Sequence, residues 1–368
     1  MTITRLAILG ATGSIGRQAL EVARAHPADL RVVGLSARTR LAELGDLARA
    51  HGVTRVVTAD EDLAALATAE DVDLVLIATP GVAGLVPTLA ALRAGKSVAL
   101  ANKEVLVVGG HLVRALVGGA GARLRPVDSE HCALWQCLRG ERLEDVRGVT
   151  ITASGGALRG VAPEELPGIT PERALRHPTW RMGPKVTIDA ATLVNKGYEV
   201  VEAHWLYGLG YERIAVVLHP QSIVHALVEM VDGAMKAQLA VPDMRLPIQY
   251  ALLGERHRSG LAERLDLAAA GRLDFDALEP GRYPCLDLVL EVARGGDLGA
   301  MVGLSAADEL AVDRFLGGGL AFTAIRDVLA RGAEEGSRLA RSPLPELDEI
   351  MAIDAGVRRA LGDALVAS

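Results

Sequence analysis

Short apolar runs alternate along the first third of the chain with stretches whose apolar residues recur at helical spacing. Leu6–Leu9, Leu30–Leu35, Val53–Val57, Asp73–Ala78 and Ser97–Leu100 read as buried strands. A helical pattern runs through Ala25, and others lie near Leu41–Arg49, Leu63–Ala67 and Gly84–Ala94. This order predicts a Rossmann-like, doubly wound sheet over residues 1–127. Past Glu130 the rhythm changes. A helix over Cys132–Leu138 leads to a strand at Val149–Ala153, and Asp189 leads into a helix that ends near Tyr207. Ile214–Leu218, Ile223–Met230 and Met235–Ala240 read as antiparallel strands, so residues 128–255 form a second α/β domain, expected to carry the catalytic groups. A linker with short helical turns follows over 256–282. Apolar periodicity near Leu286–Ala293, Ala306–Leu316, Thr323–Leu329 and Leu347–Leu361 predicts a C-terminal helical bundle domain over 283–368.

A chain of 368 residues exceeds what one hydrophobic core organises, in keeping with several domains. Half of it is hydrophobic, yet only 3% is aromatic, which suits helices packed closely on a parallel sheet. The net charge of −7 comes without a long basic stripe, so no nucleic acid is expected as partner. Three cysteines, Cys132, Cys137 and Cys285, make neither a paired framework nor a C-x-x-C motif, which points to a reducing cytoplasm. No apolar run approaches the roughly twenty residues of a membrane span, and no leader precedes the first strand, so an unprocessed soluble protein is expected.

Candidate chemistry falls at the ends of these elements. Gly10-Ala11-Thr12-Gly13-Ser14-Ile15-Gly16 links the first strand to a helix, where glycines admit a pyrophosphate to exposed N–H groups. The second strand is followed by Arg38-Thr39-Arg40 with no carboxylate, which favours the 2′-phosphate of NADP over the bare ribose of NAD. Asn102-Lys103-Glu104 follows the fifth strand, on the edge where such sheets bind ligands. Asp128 and Glu130 are two residues apart after an apolar run; if Val127 ends a strand, side chains at alternate positions face one way, and both carboxylates suit one divalent cation. A helix cap is the other use of such a pair. Asn195, Lys196 and Glu199 share one flank of a helix. Ser154-Gly155-Gly156 suits a phosphate, and Arg176–Lys185, rich in proline yet carrying His177 and Trp180, reads as a loop that closes over a ligand. His225 lies on an expected strand.

Taken together these stretches resemble one family, 1-deoxy-D-xylulose 5-phosphate reductoisomerase, the NADPH-dependent enzyme of the non-mevalonate isoprenoid pathway. The matching motifs are G-A-T-G-S-I-G at 10–16, A-N-K-E at 101–104, P-V-D-S-E-H at 126–131, S-G-G at 154–156, H-P-T-W-R-M-G at 177–183, N-K-G-Y-E at 195–199, H-P-Q-S at 219–222 and Y-P-C-L at 283–286, in family order. The resemblance implies Thr12, Gly13, Ser14, Ile15, Asn102, Glu104 and Gly183 at the cofactor, with Arg38, Thr39 and Arg40 at its ribose end. It implies Asp128, Glu130 and Glu199 as ligands of Mg²⁺ or Mn²⁺, with Co²⁺ as a further possibility. Lys103, Ser129, Glu130, Ser154, His177, Asn195, Lys196 and Glu199 would hold the sugar phosphate under a Trp180 lid, with His225 nearby. Lys103, Glu130, His177 and His225 are the candidate catalytic groups. A homodimer is implied as well, formed through residues 128–255.

Two departures stand out. Ala190, in D-A-A-T, replaces a serine that commonly donates to the substrate phosphate, and the Arg38-Thr39-Arg40 stretch shifts the basic groups relative to the commoner Gly-Lys-Asn. Two other classes compete for the same motifs. A semialdehyde or sugar dehydrogenase needs no metal, and the semialdehyde type acting on acyl groups needs a nucleophilic cysteine at a helix start, whereas Cys132 and Cys137 sit within a helical pattern. A non-catalytic NADP-sensing protein would have no use for three carboxylates, Lys103 and a Trp lid together.

Overall fold

The computed structural model describes residues 3–59, 62–117 and 123–366. The chain divides into two compact units, the first built from Met1–Val105, Gly110–Gly140 and Asp243–Leu265, the second from Leu106–Gly109, Glu141–Pro242 and Asp266–Ser368.

The first unit holds six parallel strands: β1 (Thr4–Leu9), β2 (Leu30–Ser36), β3 (Arg55–Val57), β4 (Leu74–Ile77), β5 (Ser97–Leu100) and β6 (Leu124–Pro126). Their order is β3-β2-β1-β4-β5-β6, so the direction of winding reverses between β1 and β4. Ligands bind such sheets at this switch, beyond the carboxyl ends of the strands. Residues Leu6–Leu9 and Leu74–Ile77 are wholly buried, as continuous apolar runs covered on both faces must be.

One element of this unit was not expected from the sequence. The helix Arg245–Leu252 returns to the first sheet and packs on the helices Ser14–Ala25 and Ser129–Leu138. Ile248, Ala251 and Leu252 join the core that contains Leu6, Ile8 and Val127; burying a large apolar side chain there is worth about 1.5–3 kcal/mol. Polar ties fix the return: His26 Nε2 lies 2.9 Å from Gln249 Oε1, Gln249 Nε2 donates to Arg258 O at 3.0 Å, and Arg125 donates to Ala251 O at 2.9 Å.

The second unit is built on a four-stranded sheet of β7 (Val146–Ala153), β8 (Ile214–Leu218), β9 (Val224–Met230) and β10 (Met235–Leu239), in the order β10-β9-β7-β8. The three strands expected to be antiparallel do alternate in direction, but β8 is not beside β9: it pairs with β7, to which it runs parallel. A long helical crossover joins those two, whereas only β9 and β10 are joined by a tight turn, at Gly233 with φ +89°. The helix expected to end near Tyr207 is Val194–Tyr207, and the stretch leading into it is itself a helix, Pro184–Thr192, joined through Leu193 in the left-handed region. Four helices close the chain: Pro284–Gly295, Leu298–Leu316, Ile325–Leu339 and Leu347–Val366. The second begins eight residues before its expected start, because Asp297 caps it by accepting from Ala300 N at 2.9 Å. Among the described residues no helix is long and apolar enough to cross a membrane.

Candidate active site

At the switch point β1 ends in Gly10, which takes φ +93° and lies so close to β4 that a Cβ there would stand 2.5 Å from the Ala78 carbonyl oxygen. Gly10 and Ala11 donate to Ser36 O at 3.0 and 2.8 Å, which fixes the turn to the end of β2. Thr12 is buried, and no side chain caps the helix Ser14–Ala25 that Gly13 opens. A turn of this kind presents the first amides of a helix to an anion. Arg38, Thr39 and Arg40 follow β2 and are exposed.

Asn102 is buried, and its amide is occupied by the protein. It donates to Thr79 O and to Gly81 O, and its oxygen accepts from Val105 N at 3.1 Å, so it ties the end of β5 to the loop after β4. Lys103 comes next, just before the helix Glu104–Leu116, with Nζ 2.7 Å from Asp128 Oδ2. Asp128 is the N-cap of the helix Ser129–Leu138; its Oδ1 accepts from Ser129 N at 3.0 Å. Glu130 sits in the first turn, accepting from Ser129 Oγ at 2.5 Å. The two carboxylates are therefore not set by strand alternation, since β6 stops at Pro126. A helix N-terminus gathers them instead, where its dipole favours negative charge.

In the second unit, β7 ends at Ala153 and Ser154-Gly155-Gly156 turns sharply, with both glycines at positive φ. His177 organises this turn. Its Nδ1 accepts from Trp180 N at 2.9 Å and Thr179 N at 3.3 Å, so the ring proton resides on Nε2, which lies 2.9 Å from Ser154 Oγ. Ser154 Oγ also accepts from Gly156 N at 3.1 Å. With both acceptor positions engaged, the serine proton is left to be donated outward, as a phosphate oxygen requires. Burial lowers the His177 pKa, in keeping with a neutral ring.

The loop around His177 rests on the β8–β9 connection. Thr179 Oγ1 lies 3.2 Å from Ser222 Oγ, and the Trp180 ring is tilted over His225 at 6.0 Å between centroids. His219 holds that connection from beneath: its Nε2 accepts from Ile223 N and Val224 N, both at 3.1 Å. Asn195, Lys196 and Glu199 share one flank of the helix Val194–Tyr207, and both the amide and the ammonium donate to the buried Glu199 carboxylate. Lys185, read from sequence as part of the loop, lies in the first turn of the helix Pro184–Thr192. Its Nζ meets Asp189 at 2.7 Å and Asp308 of the C-terminal bundle at 2.8 Å. Gly183 is exposed just before it.

Against this geometry, family models match most of the chain. "1-deoxy-D-xylulose 5-phosphate reductoisomerase" matches residues 6–65 and 47–110, its C-terminal domain 124–207, and "DXP reductoisomerase C-terminal domain" 239–360. A 1-deoxy-D-xylulose 5-phosphate reductoisomerase from Moorella thermoacetica is 47% identical, with 97% of each chain covered. The chain belongs to the 1-deoxy-D-xylulose 5-phosphate reductoisomerase family. Its relative from Thermomicrobium roseum is also 47% identical, over 96% of this chain and 95% of that one. Among solved reductoisomerases, a complex with NADPH, fosmidomycin and magnesium is 34% identical with a TM-score of 0.93, covering 99% of this chain and 98% of that one. The Zymomonas mobilis enzyme in complex with NADPH is 34% identical with a TM-score of 0.89, covering 99% of both.

The structure thus gathers Lys103, Asp128, Ser129 and Glu130 in one unit, and in the other Ser154 with His177, Trp180 with His225, and Asn195 with Lys196 and Glu199. Sequence reasoning overlooked Ser222, a buried non-glycine residue at φ +52° that receives the loop. Its place in H-P-Q-S was the only signal, and no pattern of residue types announces a left-handed serine.

Proposed function

We propose that this chain rearranges and reduces 1-deoxy-D-xylulose 5-phosphate to 2-C-methyl-D-erythritol 4-phosphate with NADPH and a divalent cation, in isoprenoid precursor biosynthesis. The observation that carries the reading is a 47% identity to reductoisomerases that runs almost end to end. Residues 1–127 bind the nucleotide. Residues 128–255 hold metal and substrate and form the dimer, 256–282 link, and 283–368 make the bundle.

Asp128, Glu130 and Glu199 hold the cation; three hard carboxylates suit Mg²⁺ or Mn²⁺, and accommodate Co²⁺. The donor set fits, because a helix N-terminus gathers the first two and Lys196 offsets the buried charge of the third. When bound, the cation supplies Lewis-acid polarisation of the ketone and NADPH the hydride for the rearranged aldehyde. Thr12, Gly13, Ser14 and Ile15 receive the pyrophosphate, Arg38, Thr39 and Arg40 the ribose end, and Asn102, Glu104 and Gly183 border the nicotinamide half. Ser154, Asn195 and Lys196 hold the substrate phosphate, with His177 setting the serine proton. Lys103, at 2.7 Å from Asp128, stands ready to hold or move a proton on a substrate oxygen, as does Glu130. Ser129 orients the sugar, and Trp180 with His225 excludes water above it.

The protein works as a homodimer in the cytoplasm. Edge strand β10, with Met235 56% exposed, and the neighbouring Val231, 63% exposed, support the first statement; three buried cysteines outside any disulfide suit the second. The test is NADPH oxidation followed by absorbance with 1-deoxy-D-xylulose 5-phosphate and Mn²⁺. Turnover that stops with chelator and returns with metal is expected. Tight NADPH binding without oxidation under any metal would overturn the assignment.

A further inference from the structure

In sheets of this kind the adenosine ribose lies beyond the end of β2. Here that end is Ser36, whose hydroxyl receives Gly10 N–H at 3.4 Å, so no carboxylate stands there to accept from a ribose 2′-hydroxyl. Two guanidiniums meet one carboxylate just beyond. Arg17, in the first turn of the helix Ser14–Ala25, reaches back over the glycine turn: Nε donates to Thr12 O at 3.1 Å, and Nη2 lies 2.7 and 3.0 Å from the two oxygens of Glu43. Arg40, which opens the helix Leu41–His51, brings Nη1 to 3.8 Å from the same carboxylate.

Stability does not explain this arrangement. All three side chains are between 31% and 49% exposed, and ion pairs so exposed contribute little to folding. Arg40 moreover takes φ +56°, a conformation that strains a side-chain-bearing residue and that glycine adopts freely. A strained residue with a charged head, at the ligand edge of the sheet, points to the head group. The balance of charge around Glu43 is positive, as a phosphate dianion requires, and a carboxylate that holds guanidiniums in place lets a phosphate meet donors already oriented.

We propose that Arg17 and Arg40 form the receptor for the 2′-phosphate of NADPH and that Glu43 is the residue that positions them. The inference rests on the NADPH reading above and adds Arg17 and Glu43 to the residues that the stretch after β2 supplies by itself.

The test is equilibrium binding of NADPH and of NADH to the full chain without substrate, read by nicotinamide fluorescence. Arg17→Gln and Arg40→Gln are each expected to weaken NADPH roughly tenfold and leave NADH unchanged. Equal loss of both nucleotides, or no loss of either, overturns the receptor. Glu43→Gln separates positioning from charge. Removing a negative charge alone would tighten NADPH, whereas loss of positioning weakens it several-fold, with Glu43→Asp restoring part of the affinity; tighter or unchanged binding overturns the role of Glu43. Arg40→Gly is expected to raise Tm while narrowing the NADPH to NADH preference, and a full preference in that variant overturns the part of Arg40. A wild-type chain that binds neither nucleotide overturns the NADPH reading itself, an outcome distinct from all of these.

Discussion

Two glycine turns, one after β1 and one after β7, solve the same problem with different materials. Both end strands that have a parallel neighbour, and both press backbone against backbone: Gly10 against Ala78, Gly156 against Ala190. Beyond that they diverge. The first continues into a twelve-residue helix with no side-chain cap, so the anion site proposed there would be made of main-chain amides. The second is followed by no helix, and its donor is a serine hydroxyl aimed by a histidine twenty-three residues further on. A site made of amides has no titrating part. One made of side chains is open to pH and to single substitutions, and the two turns should respond differently to both.

The largest effect is expected at Gly156. Its φ is +66°, and an added Cβ would run into the Ala190 carbonyl, so Gly156→Ala must move the turn away from the helix Pro184–Thr192. We expect kcat/KM for the sugar phosphate to fall roughly 100-fold, about 3 kcal/mol, while the Kd of NADPH holds. Gly10→Ala should do the reverse, with nucleotide binding lost first. Parallel losses of both ligands in either variant would break the distinction. Next comes His177→Ala, which removes the donor to Ser154 and strands the amides of Thr179 and Trp180. An abandoned buried donor costs about 1–3 kcal/mol, so KM should rise roughly 10- to 100-fold with NADPH binding intact. Loss confined to kcat would show that His177 does not act through the phosphate.

The same contrast explains how much was legible from sequence. The centre of the parallel sheet was, because strands covered on both faces read as unbroken apolar runs and its glycines sit at the strand-to-helix junction; the edge strand β3, expected to be buried, is instead largely exposed, with Val56 39% accessible, since an edge strand needs no cover on its outer side. The neighbourhood of Asn195, Lys196 and Glu199 was also legible, since it follows from helical spacing alone. The orientation of Ser154 was not: it depends on which nitrogen of His177 carries the proton, which in turn depends on two amides of an irregular loop. The partner of β8 was hidden because a strand's own residues do not record which neighbour it joins, and the return of Arg245–Leu252 to the first sheet because linear reading assigns a segment to the domain beside it. Asp128 and Glu130 were singled out with the wrong geometry, as D-x-E serves a strand end and a helix start equally well.

pH offers a finer probe. Burial holds the folded-state pKa of His177 below its ordinary value of about 6.5. The neutral ring therefore contributes stability that is fully present above that ordinary value and is lost as pH falls through the lower, folded one. Protonation of Nδ1 would also expel the Thr179 and Trp180 amides and release the loop. KM for the substrate should stay level above the ordinary value and climb below it, by roughly tenfold once the ring is charged. The substrate phosphate titrates nearby, with a second pKa of about 6, so the comparison is with His177→Gln. The acid rise in KM should shrink in that variant to the part owed to the substrate, and an identical rise in both would remove His177 as its source.

The smallest expected effect lies at the point where the second turn meets its helix. Ala190 is buried, with its carbonyl against Gly156, at the position where the family commonly places a serine donor to the phosphate. A hydroxyl there would add one hydrogen bond to a charged oxygen, which contributes about 1.5–3 kcal/mol in full but less beside the donors proposed for the phosphate, Ser154, Asn195 and Lys196. Ala190→Ser should accordingly lower KM by roughly three- to tenfold, the equivalent of about 0.7–1.4 kcal/mol, with NADPH affinity unchanged. Because the helix backbone touches the turn at this residue, the variant also examines whether the turn is set by main-chain contact or by its donors. A KM that stays level or rises would mean that the packing of Gly156 on Ala190 already fixes the phosphate where a further hydroxyl cannot reach it, and the second turn would then resemble the first more closely than its side chains suggest.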